Sequence, residues 1–207
     1  MQKPKNAQEG IAQLRADVAG SPDCGNSHYN LAVALMGVKN YDEAEACLND
    51  AVGCSPTLAE GYVMLGSIAL QRDDVEGCLY YNTLATKSRA GFAVGYGNIG
   101  FLELQRGNVE EAIKNLKKAI VHNSKFVQAY TTLANAYLMK GLVDESIEMS
   151  LKALEAEPDF PISHHNLGIA YLEKEDYAQA IVHFDKAQSM GYEVPEALLK
   201  EVEPHRV

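Results

Sequence analysis

Positive charge is scarce in this sequence. Against 28 aspartates and glutamates stand 18 lysines and arginines, a formal net charge of −10 over 207 residues. Such a chain repels phosphate backbones and anionic membrane surfaces on average, which argues against nucleic acid as a ligand. Long apolar runs are missing too: no stretch of about eighteen residues escapes a charged or polar interruption, so no membrane span is expected. The opening MQKPKNAQEG carries charges without an apolar centre, so no secretory signal is read there. A cytoplasmic location follows as the default, without direct membrane insertion.

Cysteine is sparse and poorly spaced for metal. Cys24, Cys47, Cys54 and Cys78 include no C-x-x-C pair that could form half of a zinc site. Reduced thiols are the expected state, with a disulfide between two of them left open. No His-Glu-x-x-His helix, phosphate-cradling glycine loop or nucleophile turn occurs. The sequence therefore offers no catalytic residue, no cofactor site and no metal site. The adjacent His164 and His165 in ISHHNLGIAY keep a metal-dependent enzyme as an alternative. His122, His183 and His205 read as scattered.

What the chain contains is repetition. HYNLAVALMGVKNYDEAEACLNDA (28–51) lines up with YVMLGSIALQRDDVEGCLYYNTLA (62–85), YGNIGFLELQRGNVEEAIKNLKKA (96–119), YTTLANAYLMKGLVDESIEMSLKA (130–153) and HHNLGIAYLEKEDYAQAIVHFDKA (164–187), each 34 residues after the last. Leu31, Leu65, Ile99, Leu133 and Leu167 recur, each followed by a small residue: Ala32, Gly66, Gly100, Ala134 or Gly168. Further small columns run through Ala44, Cys78, Ala112, Ser146 and Ala180, and through Ala51, Ala85, Ala119, Ala153 and Ala187. Two apolar stretches of helical spacing joined by a short turn form a helical hairpin. Small columns fall where helices approach closely, and Leu167 and Phe184 should fill the space between them. One hairpin cannot cover its own apolar face, so neighbours must stack. At 47% hydrophobic and 22% charged, the chain has the material for that core.

This pattern resembles the tetratricopeptide-repeat family, whose motif runs aromatic, Leu-Gly, Tyr, Ala, aromatic, Pro. The last copy carries Leu167-Gly168, Tyr171, Ala180 and Phe184, with His164 where the family prefers Trp; Tyr62, Tyr96 and Tyr130 fill that slot elsewhere, and His28 repeats the substitution. Pro56 and Pro158 supply the closing proline, but Ala90, Ser124 and Tyr192 replace it, which leaves the sharpness of those turns open. The resemblance implies an all-α, right-handed superhelical solenoid of antiparallel helix hairpins. Its divisions would be a half repeat with an orphan helix (1–24), five repeats (25–58, 59–92, 93–126, 127–160 and 161–194), and a capping helix with tail (195–207), the short helix starting at Pro195 with Leu198, Leu199 and Val202 covering the last hairpin. In the orphan helix, Asp17 stands where the copies have Ala51 and its equivalents, and a carboxylate would not be buried there, so looser packing is expected.

The family resemblance also implies a function. Its members are non-enzymatic scaffolds or adaptors that bind a protein or peptide ligand on a concave face lined mainly by the first helix of each repeat. Here that face would comprise Asn30, Val33, Val63, Met64, Leu70, Asn98, Phe101, Leu104, Gln128, Thr132, Asn135, Leu138, His165, Asn166, Ile169 and Leu172. Asn30, Asn98 and Asn166 occupy one recurring position, and an amide ladder can grip the backbone of an extended peptide; equally, such amides can bond their own helices or water. Relatives that clamp chaperone tails use lysine and arginine on this face, which this chain lacks. Repeat 93–126 has five basic and three acidic residues whereas 127–160 has two and six, which suits a solvated face or complementary contacts in an assembly. Ile11, Leu14 and Val18 make the orphan helix amphipathic, so a head-to-tail contact with another copy's groove would build a homo-oligomer. The layout is similar to a self-assembling, vesicle-associated scaffold of the same family, which implies peripheral membrane association through protein partners. A monomeric assembly or regulatory subunit of a larger complex is the alternative.

Overall fold

A computed structural model of the chain describes residues 6–206; the parts of the expected half repeat and tail at 1–5 and 207 lie outside the described residues. The described chain is all-α: α1 (Ala7–Gly20), α2 (Gly25–Gly37), α3 (Tyr41–Cys54), α4 (Ala59–Gln71), α5 (Val75–Ser88), α6 (Ala93–Gln105), α7 (Val109–His122), α8 (Val127–Met139), α9 (Val143–Ala156), α10 (Pro161–Glu173), α11 (Tyr177–Ser189) and α12 (Glu196–Val202). The first helices of the hairpins thus begin at residues 25, 59, 93, 127 and 161. Pro195 precedes α12 as its cap, one residue earlier than a helical start. Among the described residues no helix is long and apolar enough to cross a membrane. The four cysteines are free thiols.

Each hairpin turns at one left-handed residue. Lys39, Asp73, Gly107, Gly141 and Glu175 all have φ between 59° and 79°. The next residue's N–H reaches back to a carbonyl five residues earlier, as in Asn40 to Leu35 and Asp176 to Tyr171, both 2.9 Å. These bonds satisfy the last carbonyls of the first helix and reverse the chain in a fixed direction. The connections between repeats are equally regular. Leu58 N–H donates to Ser55 O at 2.9 Å beside Pro56, and the same bond forms without proline from Phe92 to Arg89 at 3.3 Å and from Phe126 to Asn123 at 3.1 Å. The doubt over the turns at Ala90 and Ser124 is therefore removed: the hydrogen bond, not the pyrrolidine ring, closes them. At Tyr192 the chain instead leaves α11 through Gly191, at φ 83°.

The chain divides into two compact units, Met1–Gly95 and Tyr96–Val207. In the first, Leu31, Leu35, Leu48, Leu65 and Ile68 form the core, joined by Ile11 and, at its edge, Leu14 and Val18. Ile11 is only 9% exposed. The apolar side of α1, expected to lack a partner on one flank, is turned onto its own unit because those three side chains find apolar cover there. Asp17 is exposed and accepts a bond from Gln13 Nε2 at 2.9 Å. In the second unit Leu116, Leu133 and Tyr137 anchor one cluster, and Phe184, Val194 and Val202 another, with Leu198 and Leu199 packed against the latter. Phe184 is fully buried, which contributes about 2–3 kcal/mol.

Inter-repeat ion pairs run along the surface with the same period. Arg72 pairs with Asp42 and Glu45, Lys140 with Glu110 and Lys174 with Asp144, at 2.7–3.1 Å. Each joins the end of a first helix to the start of the preceding second helix. Being exposed and screened by solvent, they serve register more than stability.

Candidate functional site

The second unit holds a cavity of about 570 Å³ lined by α6, α8 and α10 and closed at one end by Phe160 and Tyr192. Hairpin packing opens it, because the small columns let each first helix sit close to its own second helix. At Gly100 a β-carbon would lie 2.6 Å from Leu116 Cγ, and at Gly168 it would run into the Phe184 ring. Glycine there is a demand of close approach.

Eight of the sequence-predicted groove residues meet in this cavity: Phe101, Leu104, Gln128, Thr132, Asn135, His165, Asn166 and Ile169. Asn98 lines an adjoining recess of about 110 Å³ with Phe101, Phe126 and Thr132. Leu138 is half-buried without lining either space, its place taken by the 56% exposed Met139. Leu172 packs instead into the core around Phe184 and Val202. In the first unit Asn30, Val33 and Leu70 are exposed, whereas Val63 and Met64 pack on its core clusters. None of these five belongs to the cavity.

Of the recurring asparagines, Asn166 bonds a neighbouring helix. Its side chain is 5% exposed, and Nδ2 donates to the backbone carbonyl of Thr131 on the neighbouring α8 at 3.0 Å. One of the two amide N–H donors is thereby spent on holding α10 to α8. Thr131 and Thr132 hydroxyls likewise donate within α8, Thr132 to Gln128 O at 2.7 Å.

The adjacent histidines part company. His165 lines the cavity, with its ring centroid 4.8 Å from Tyr192 and 6.0 Å from Phe184. Burial alone pushes its imidazole below the ordinary range, so it is neutral at pH 7. His164 turns the other way and meets His183 of α11, Nδ1 to Nδ1 at 3.0 Å, with stacked rings. His164 also bonds the Pro158 backbone, as His28 bonds Pro22 O at 2.7 Å. Burial, then the neighbouring His164 and Lys186, brings His183 down to about 4. His183 was therefore not scattered, as the sequence suggested: it lies 19 residues beyond His164, on the other helix of the same hairpin, and only the fold pairs them. Among the described residues no group of three histidines, cysteines or carboxylates is arranged to hold a metal ion.

Sequence reasoning missed Gln105, Thr131, Met139, Phe160, Ile162 and Tyr192 in the lining. Phe160 and Tyr192 sit in connections outside the first helices, where the 3.6-residue period gives no guidance. Phe126, at the same column as Phe160 and lining the smaller recess, was the available signal. Chemically the cavity has no acid–base pair and no nucleophile beside a base. Its lining includes no charged side chain.

The sequence matches family models described as "Tetratricopeptide repeat" over residues 1–59, 127–160 and 150–182, and as "TPR repeat" over 100–141. No curated protein matches it by sequence. Among solved structures it is similar to YrrB, described as a TPR protein with an unusual peptide-binding site (17% identity, 92% of this chain and 97% of that one, TM-score 0.70). It is also similar to MamA from Desulfovibrio magneticus RS-1 (19% identity, 81% and 94%, TM-score 0.68) and to pilF of Pseudomonas aeruginosa (16%, 90% and 87%, 0.76). At these identities the likeness is one of fold.

Proposed function

The chain is a tetratricopeptide-repeat protein, and we propose that it is a non-enzymatic interaction scaffold whose second-unit cavity takes a segment of a partner protein. The observation that carries this reading is the cavity itself: about 570 Å³, framed by three successive first helices, with apolar and uncharged polar residues mixed in its lining and no charged side chain. A space of that size suits several side chains of a peptide. The peptide-binding site named for YrrB is that protein's own, yet it supports the same use of a shared fold.

The partner is a protein in the same compartment, and any vesicle association runs through it. Homotypic assembly through α1 would have to expel Ile11, Leu14 and Val18 from their own core, so the self-assembling variant of the reading, with its likeness to MamA, needs a different contact. A photo-crosslinking residue at the 44% exposed Phe101, with the 80% exposed Val121 of α7 as control, tests the scaffold reading. One partner captured from Phe101 alone, whose purified form loses affinity for Phe101→Lys, is the expected result. Equal capture at both positions, or affinity untouched by Phe101→Lys, refutes it. Light scattering over a concentration series, on the intact chain and on one lacking residues 1–24, reports homotypic assembly separately.

A further inference from the structure

The outward faces of α7 and α9 carry opposite charge at the same repeat positions. The register that buries Ala112 and Ala119 on α7 buries Ser146 and Ala153 on α9. It turns Lys114, Lys117 and Val121 outward on one helix and Glu148, Leu151 and Glu155 outward on the other, each set forming one stripe at helical spacing. On α11 the same stripe is nearly neutral, with Val182, Asp185 and Ser189. Each charged stripe also holds one apolar side chain in water: Val121 is 80% exposed and Leu151 44%. Lys114 pairs with Glu111 at 3.0 Å and Glu148 with Lys152 at 2.6 Å, each within its own helix. Lys117, whose ammonium lies 5.7 Å from the centre of the Tyr137 ring, and Glu155 make no ion pair among the described residues. The inter-repeat pairs join first helices to second helices, as Lys140 to Glu110 does, and none among the described residues links α7 to α9.

We propose that these two stripes form a self-complementary face through which two copies of the chain pair. The proposal goes beyond the cavity reading and does not draw on it, since none of the six stripe residues lines the cavity. Both being second helices, α7 and α9 run in the same direction. A twofold axis lying along them therefore sets α7 of one copy on α9 of the other at equal height, and does so twice. Lys117 then stands level with Leu151, roughly 4.5 Å along the helix from Glu148 and roughly 6 Å from Glu155, within reach of a lysine side chain. Val121 and Leu151 cover one another beside these charges. A twofold axis across the helices would instead put like charges face to face, so the charge pattern selects the first arrangement. A second copy is the occupant because the chain itself supplies the opposite stripe at matching spacing, both stripes following the 34-residue period. The net charge of −10 opposes pairing mainly at long range, where salt screens it beyond about 8 Å. Pairing by this face also leaves α1 on its own core.

Sedimentation equilibrium of the full chain over a concentration series tests this. The native chain should dimerise. Lys117→Glu and Glu155→Lys should each weaken the dimer about tenfold or more, because each change enters the interface twice. Mixed in equal amounts, the two variants should associate as tightly as the native chain, since each finds its complement in the other. Phe101→Lys, in the cavity, should dimerise unchanged. Lys117 and Glu155 are exposed, so folding is not at stake, and circular dichroism checks the helix content of each variant. A native chain that stays monomeric up to about 1 mM overturns the proposal, as does a dimer indifferent to both charge reversals. Variants that fail to pair when mixed overturn it too, and a dimer lost only in Phe101→Lys does so by moving the contact to the cavity.

Discussion

His164 and His183 share one hydrogen bond, Nδ1 to Nδ1 at 3.0 Å, inside the last repeat. One ring must donate and the other accept, so the pair holds only while at least one imidazole is neutral. With His164 bonded to the Pro158 backbone through its other nitrogen, His183 is the donor in the shared bond.

Acid should therefore loosen this repeat. His183 is held near 4 in the fold against about 6.5 when unfolded, so the unfolded chain binds the extra proton first. Stability is full above pH 6.5 and falls as pH drops from 6.5 towards 4, by up to about 3 kcal/mol. Lys186 faces both rings and adds to the loss, while Asp159 beside His164 opposes it. Denaturant unfolding at pH 7.0 and 4.5, for the native chain and for His183→Met, checks this; Met149 already occupies that column one repeat earlier. An identical pH dependence in both would refute the role of the pair.

Close helix approach makes a second prediction. Gly100→Leu drives side-chain atoms into Leu116, which is fully buried, and should cost about 1–3 kcal/mol or more. Gly168→Ala meets the Phe184 ring and should also destabilise, although the matching position one repeat earlier carries Ala134, with Ser150 in the column of Phe184. Thermal unfolding of both variants reads the difference. A silent Gly100→Leu would contradict the observed packing.

The hairpin turns point to a gain in stability. Lys39, Asp73 and Glu175 hold left-handed backbone at φ 59–61°, where two other repeats have Gly107 and Gly141. A side chain there costs about 1 kcal/mol or more, partly offset by the entropy that glycine loses on folding. Each change to glycine should thus stabilise by about 0.5–1 kcal/mol, measurable as a raised denaturation midpoint.

Ser146 offers a comparable gain for another reason. Its hydroxyl is fully buried without a hydrogen-bond partner, and the same column carries Ala44, Ala112 and Ala180. Ser146→Ala removes an unsatisfied group and keeps the volume of the column, so unfolding should become harder by about 1 kcal/mol. A loss of stability would mean that the hydroxyl has a partner.

How far the sequence could be read depended on period. Helix starts and small columns repeat every 34 residues, because close helix approach selects small residues at the same place in each copy. Contacts without that period escaped: His183 on His164, Tyr192 in the cavity lining, Ile11 folding inward. Turn geometry was also hidden at Ala90 and Ser124, where a backbone hydrogen bond does what proline does elsewhere and leaves no mark on residue type. The recurring asparagine column shows the converse. Identical residues at equivalent positions meet different neighbours, and Asn30 is exposed where Asn166 is buried.

That difference gives a test which separates fold from binding. Asn166→Ala deletes a buried bond to Thr131 O and should lower stability by about 1–2 kcal/mol. Asn135→Ala, at an exposed position whose amide bonds nothing among the described residues, should leave unfolding unchanged. With the crosslinked partner in hand, the order should reverse for affinity: Asn135→Ala weakens binding by about 1 kcal/mol, whereas Asn166→Ala acts on it only through the loosened α8–α10 contact. Measuring both quantities on both variants keeps the two roles apart, since an Asn166 that gripped ligand would lose affinity without losing stability.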